Sequence, residues 1–283
     1  MNKLKVAAST YLNSAPLIYS FLQGSLKDSC YFLGNTAPAR CADLLKENLV
    51  DVALIPVIEY QRINNICLIA DVSVSAKELV RSVILVSKYP INKISTVALD
   101  ISSRTSATLV KIILEKFYSI KPHYITSAPN LADMLKTSDS ALLIGDPAIT
   151  VELNNYHVYD LAQEWRKFTG LPFVFALWAV NNHWSDNKID RNYLDLTKLF
   201  VEAKKEGLNN LENIAKEYSH NLNISSESLL GYLTSNVNYD LDKENLAGLT
   251  HFYKLAAEQG LILENRPIKF FTKLNENSII CIK

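Results

Sequence analysis

The chain has 283 residues, long for one domain and short for three, which argues for two lobes. Its 29 Lys and Arg balance its 29 Asp and Glu, so no global field draws it to nucleic acid or to an anionic membrane surface. Apolar residues make up 48% and charged residues 20%, ordinary for a soluble globular protein, and no run approaches the ~20 apolar residues of a membrane span.

The start, Met1-Asn2-Lys3-Leu4-Lys5, imitates the basic head of an export signal, but Ser9, Thr10, Asn13 and Ser14 interrupt the apolar run that would have to follow. Cys30, Cys41, Cys67 and Cys281 are scattered, without a C-x-x-C pair or a His at metal spacing, and read as reduced core or near-surface thiols, with a stray disulfide as the alternative. Together these features predict a cytoplasmic protein without a metal site.

Leu4–Ser9 is a short apolar strand, followed by a helical pattern over Ala15–Leu22 with Pro16 in its first turn. Tyr31–Leu33 is the next strand, Pro38–Asn48 a helix, and Val50–Ile55 a buried strand that stops at Pro56. Strand, helix, strand, helix, strand at this spacing predicts a parallel βαβαβ unit. Val83–Ser87 then leads to the turn signal Tyr89-Pro90, where a hinge is expected.

A second α/β run follows. Ser95–Leu99 is a strand, and Arg104–Tyr118 a helix with an inward stripe of Ala107, Val110, Ile113, Leu114 and Phe117. Tyr124–Ile125, Leu131–Leu135, Ala141–Ile144 and Ala148–Leu153 continue the alternation, and Phe173–Val180 is a long apolar strand able to cross back. The remainder is expected to be mostly helical, over Tyr193–Lys205, Leu211–Tyr218, Glu227–Thr234 and Lys243–Glu258, with Gly260 closing the last helix and Lys204-Lys205 on a solvated face. The expected fold is α/β, in two lobes of the type II periplasmic-binding-protein kind with a ligand cleft between them. Residues 1–88 and 180–283 would form the first lobe, and 89–179 the inserted second.

Three strand ends carry small polar residues just before a helix: Tyr11-Leu12-Asn13-Ser14-Ala15-Pro16, Ser102-Ser103-Arg104-Thr105-Ser106 and Gly145-Asp146-Pro147. Carboxyl ends of strands in open α/β sheets are where ligands bind, and helix N-termini favour anions, so a cleft for a small carboxylate is indicated. Each segment also has a plain structural reading. Asn13 either caps the following helix or offers its amide to a ligand. The Ser102–Ser106 run is either an N-cap with solvated neighbours or a carboxylate grip, each charge-assisted hydrogen bond being worth ~1.5–3 kcal/mol. Asp146 is either an N-cap ahead of Pro147 or a group that orients a substrate hydroxyl or a water. Glu59 reads as a first-turn surface residue or a cleft residue, and His123, His157, His183, His220 and His251 stand apart from any nucleophile pattern. No G-x-G-x-x-G, Walker loop or H-E-x-x-H occurs, so neither a nucleotide nor a metal cofactor is expected.

The segment Glu164-Trp165-Arg166-Lys167-Phe168-Thr169-Gly170-Leu171-Pro172-Phe173-Val174-Phe175-Ala176-Leu177-Trp178 adds a resemblance. With Tyr11–Leu17, Asp51–Tyr60, Val80-Arg81-Ser82-Val83, Ser103–Ser106 and Leu143–Pro147, it resembles the chorismate dehydratases of the futalosine route to menaquinone. These blocks keep the family order across about two-thirds of the chain. Asn35–Asn48 departs from the family pattern, and the C-terminal third carries no family motif.

The resemblance implies chorismate as the small-molecule substrate and a cofactor-free elimination of water, with no nucleic-acid or membrane partner. It also implies that Ser82, Ser103, Thr105, Ser106 and Thr169 grip carboxylates, aided by backbone N–H groups around Gly145 and Gly170, with Asp146 nearby. Asn13 would lie against the reacting ring, and Phe173 and Phe175 along the pocket. Two alternatives stay open: the related lyase that forms 1,4-dihydroxy-6-naphthoate, which should show a catalytic His, and a non-catalytic solute-binding protein.

Overall fold

The computed structural model describes residues 3–34, 37–182, 195–275 and 278–282. Four strands open the chain: β1 (Leu4–Ala7), β2 (Cys30–Leu33), β3 (Val52–Pro56) and β4 (Ile66–Ala76). Between them lie α1 (Ala15–Leu22), α2 (Pro38–Lys46) and α3 (Val57–Arg62), with a short 3-10 turn over Leu12–Ser14. β1 runs parallel to β2 and β3, as the βαβαβ reading requires. This sheet is completed by β10 (Phe173–Asn181), antiparallel between β3 and β4, and by the hairpin β11 (Phe270–Asn275) and β12 (Ser278–Ile282) beyond β4.

The second sheet holds β5 (Val83–Ser87), β6 (Thr96–Asp100), β7 (His123–Ser127), β8 (Ser140–Ile144) and β9 (His157–Asp160), in the order β7-β6-β8-β5-β9. Its helices are α4 (Thr105–Ile112, prolonged by a π turn over Ile113–Phe117), α5 (Leu131–Thr137), α6 (Gly145–Thr150) and α7 (Leu161–Thr169). Helices α8 (Leu196–Leu208), α9 (Leu211–Leu222), α10 (Ser226–Ser235) and α11 (Lys243–Glu258) follow β10.

Strand alternation sorts the core. On β3, Ala53 and Ile55 join an apolar cluster that continues into the second lobe through Leu85, Leu99 and Trp165, whereas Val52 and Leu54 face a cluster with Phe21, Trp178 and Phe200 beneath α1 and α8. Burying chains as large as Trp165 and Trp178 completely is the main favourable term here, since truncating such a residue costs ~3–5 kcal/mol.

Both crossings between the sheets come earlier than the boundaries expected at 88/89 and 179/180. The chain leaves the first sheet after Ala76 and enters the second at Val83; it leaves the second after Asp160 and rejoins the first at Phe173. The Tyr89-Pro90 signal marks a turn inside the second lobe, because β5 already pairs with β8 and β9. At the outward crossing, Asp160 Oδ2 accepts from the Val80 and Arg81 N–H groups at 3.0 and 2.6 Å, while Oδ1 caps α7 through Ala162 and Gln163.

Other expectations are corrected as well. β4 was hidden in the sequence because Ser73 and Ser75 interrupt it; both are buried and donate to the Asp240 and Asn238 carbonyls. The tail is not purely helical, since β11 and β12 extend the first sheet. The expected helix Tyr193–Lys205 begins outside the described residues and is seen as Leu196–Leu208. Lys204 is buried rather than solvated, its Nζ donating to Asp71 O and Asp240 Oδ1 at 2.7 and 2.6 Å. Cys30 is a buried free thiol, but Cys67 is disulfide-bonded, so the reduced reading fails there. Among the described residues no helix is long and apolar enough to cross a membrane.

Candidate active site

The carboxyl ends of β1, β3, β6 and β8 converge on one cleft, the kind of place where open α/β sheets take small ligands. Asn13, Ser103, Thr105, Ser106 and Gly145 all line it, so three segments far apart in sequence meet at one place. Leu54, Val74, Val83, Ile144 and Phe175 give it apolar walls, and Arg104 is the one charged side chain among the lining residues.

From the first lobe comes the turn Tyr11–Ser14. Asn13 sits within the 3-10 turn, and the N-cap position of α1 belongs to Ser14, which makes no side-chain cap bond, so Asn13 does not cap the helix. Ser14 Oγ donates to Asn13 Oδ1 at 3.2 Å, which leaves the Nδ2 hydrogens for a ligand. The opposite wall is the start of α4. No side chain caps its first turn, so N–H groups left open by helix geometry stand beside the Ser103, Thr105 and Ser106 hydroxyls. Ser102 is committed elsewhere: its N–H and hydroxyl both go to Asp100 Oδ1, at 2.8 and 2.6 Å. The Asp100 carboxyl is raised by burial, which hydrogen bonds from Ser102 and from the Ile144 backbone oppose.

The lobes touch across the cleft through specific bonds. Arg104 donates to Glu59 Oε2 at 2.9 Å and to both Asp43 oxygens at 2.8 and 2.9 Å, so two first-lobe carboxylates neutralise the cation beside the cleft. Glu59 is therefore not a surface residue and stands outside the cleft lining: it is 4% exposed and also pairs with Arg62. Ile58 N donates to Thr105 Oγ1 at 3.3 Å, and Ala39 N to Ser102 O at 3.3 Å. The Leu12 N–H donates to Asp146 Oδ1 at 2.8 Å.

Four expected site residues stand outside the cleft lining. Ser82 is fully buried; its hydroxyl accepts from Tyr232 Oη at 2.7 Å and its carbonyl accepts from Gly145 N at 2.8 Å. Thr169 Oγ1 donates to Trp165 O at 2.8 Å and accepts from Leu171 N at 3.1 Å, tying off α7. Gly170, at φ +71°, is the left-handed residue that ends that helix. Asp146 spends its Oδ1 on Leu12, and burial lifts its carboxyl from 3.8 to about 6. Of the two aromatic candidates, Phe175 lines the cleft while Phe173 packs among Trp165 and Phe252.

Ser9 lines the cleft without having been singled out in the sequence, and Tyr11 and Ser14, placed there only as part of the Tyr11–Pro16 segment, line it individually. Ser9's only signal was its position, just past the end of β1. Burial raises the Tyr11 hydroxyl, with Ser102 opposing by a hydrogen bond and Asp100 and Asp146 adding to the rise.

Comparison with known proteins agrees with this architecture. A curated chorismate dehydratase from Thermus thermophilus is 29% identical over 261 residues, covering 86% of this chain and 91% of that protein. Among solved structures, a protein from Archaeoglobus fulgidus superposes with a TM-score of 0.72 at 18% identity, covering 92% of this chain and 98% of that one. A conserved Candida albicans protein described as having the generic periplasmic binding protein fold gives 0.62 at 18% identity, covering 93% and 92%. The periplasmic aliphatic sulphonate binding protein of Escherichia coli gives 0.61 at 16% identity, covering 94% and 90%. At these identities the structural neighbours establish the fold: two α/β lobes of the periplasmic-binding-protein type. A family model described as menaquinone biosynthesis matches residues 4–258, and the chain belongs to that family.

Proposed function

We propose that this chain is a chorismate dehydratase, a hydro-lyase that converts chorismate to 3-[(1-carboxyvinyl)oxy]benzoate and water. The observation that carries the reading is the pairing of cleft walls: an uncapped helix start rich in hydroxyls opposite a lone amide, with apolar side chains between. The hydroxyls of Ser103, Thr105 and Ser106 and the first N–H groups of α4 suit a carboxylate. Leu54, Val74 and Phe175 suit the flat ring.

The proton lost from C3 of chorismate is vinylogous to the ring carboxylate. Its removal gives a dienolate-like carbanion, and expulsion of the C4 hydroxyl then makes the ring aromatic. A site that fixes the carboxylates and screens developing charge supplies most of what this elimination needs. Among the lining residues there is no carboxylate or imidazole, which favours the substrate's own side-chain carboxylate or a water as base. In this reading Asn13 donates from Nδ2 to the departing hydroxyl or orients the ring. Ser82, Thr169, Gly170 and Asp146 support the site from outside it, and a cytoplasmic location belongs to the same reading.

Incubating the purified chain with chorismate and following the ultraviolet spectrum tests this. Replacement of the cyclohexadiene absorption by that of a benzoate, with one water released, is expected. Quantitative recovery of chorismate after long incubation would instead identify a binding protein.

A further inference from the structure

We infer that Asp146 is the positioning residue for Asn13: its carboxylate holds the Leu12 N–H across the cleft and so fixes the turn from which the Asn13 amide reaches the substrate. The inference rests on the role given to Asn13 above. Leu12 opens the 3-10 turn and Asn13 is its next residue, so a bond of 2.8 Å at Leu12 N acts one residue away from the amide. No side chain of the turn's own lobe caps it. The acceptor comes from α6, on the far lobe, 134 residues along the chain.

A second contact presses on the same turn. Gly145 has φ +62°, and a Cβ there would come within 2.3 Å of the Tyr11 ring, so the backbone of the second lobe is seated directly on the residue before Leu12. The Gly145–Asp146 pair is braced from behind. Gly145 N donates to Ser82 O, and Ser82 Oγ accepts from Tyr232 Oη on α10. An unbroken path thus runs from a C-terminal helix through the second lobe to the Asn13 turn. Because the Asp146–Leu12 bond joins the two lobes, parting them would release the turn and closing them would set it.

What Asp146 supplies here is an acceptor oxygen at a fixed distance, not a proton or a charge. That separates this role from the alternative in which it binds a substrate hydroxyl or acts as an acid or base. Asp146→Asn keeps an oxygen of the same reach, Asp146→Glu keeps the charge but shifts it by a methylene, and Asp146→Ala removes the acceptor.

The test is kcat and KM for all three variants, alone and combined with Asn13→Ala. Expected is a kcat loss for Asp146→Ala of up to roughly a hundredfold, the scale of a misplacement near 1 Å, with KM within about threefold. Asp146→Asn should recover most of that loss and exceed Asp146→Glu. On an Asn13→Ala background, Asp146→Ala should add less than about threefold, since the route through Asn13 is already cut. Glu outperforming Asn, full additivity with Asn13→Ala, or unchanged kcat in Asp146→Ala would each overturn the inference. Should Asp146→Ala not fold, the ranking of Asn over Glu still decides. Failure of the Asn13 role is separately visible, because Asn13→Ala alone would then turn over normally.

Discussion

The two walls of the cleft are built by opposite means. The second-lobe wall is a helix start whose hydroxyls and N–H groups follow one another along the chain, Ser103 to Ser106, with Arg104 and Thr105 tied to the first lobe through Asp43, Glu59 and Ile58. The first-lobe wall is a three-residue 3-10 turn with a single amide, and it is held by Asp146 and Gly145 from the other lobe. A ready-made helix terminus suits the part of the substrate whose charge is the same before and during reaction. An amide on a turn fixed from across the cleft suits a contact that must be in place only when the lobes have met.

The largest expected effect comes from disturbing the seat of the turn itself. Gly145→Ala meets both a left-handed backbone and the Tyr11 ring, so it should abolish nearly all turnover and cost ~1–3 kcal/mol of stability, read by initial rates and a denaturant melt. Normal turnover in this variant would mean the first-lobe wall does not need its seat.

Arg104→Ala removes the cation between Asp43 and Glu59, leaving the buried Glu59 with Arg62 alone. Because Arg104 is itself partly exposed, about 1–3 kcal/mol of lost stability is expected, together with a raised KM as the lobes part more readily. The exposed pair Lys136–Asp133 is the control: Lys136→Ala should cost less than about 1 kcal/mol. Equal costs for the two would show that the cleft-side pair is no more than a surface contact.

A smaller effect concerns pH. Burial raises the Asp146 carboxyl from 3.8 to about 6, so the folded chain binds this proton more tightly than the unfolded one. Its contribution to stability is fully present below about 3.8 and is lost as pH rises through about 6. Asp146→Asn should therefore lose less melting temperature than the parent between pH 4.5 and 7.5, and identical losses would refute the raised value.

The smallest effect is expected at Thr169, whose hydroxyl bonds only within the end of α7 and its exit. Thr169→Val should lower the melting temperature by a few degrees at most and leave KM unchanged. A several-fold rise in KM would put Thr169 in the site after all.

These contrasts also show what the sequence could reveal. Asn13, Ser103, Thr105, Ser106 and Gly145 were legible because an apolar run followed by small polar residues fixes a strand end and a helix start locally. Ser82, Asp146, Thr169 and Gly170 are small or polar residues of the same types, Asp146 at a helix start, Ser82 before a strand, and Thr169 and Gly170 at a helix end. What separates a lining residue from a supporting one is the tertiary partner, Tyr232 for Ser82 and Leu12 for Asp146, more than a hundred residues away. The fold was legible for the same reason where periodicity is clean, as in β1, α4 and α11. It was lost at β4, where buried serines satisfied by Asn238 and Asp240 break the apolar pattern, and at the lobe crossings, which sheet pairing decides.

The most direct test of the division between the walls is a side-by-side measurement of kcat and KM on chorismate for Asn13→Ala, Ser103→Ala and Thr105→Ala. A transition-state donor is worth roughly 10²–10³ in rate, so Asn13→Ala should lower kcat by that factor with KM nearly unchanged. Ser103→Ala and Thr105→Ala should mainly raise KM, because they hold the same charge in both states. An Asn13→Ala enzyme that turns over normally, or hydroxyl variants that lose kcat at constant KM, would contradict the account.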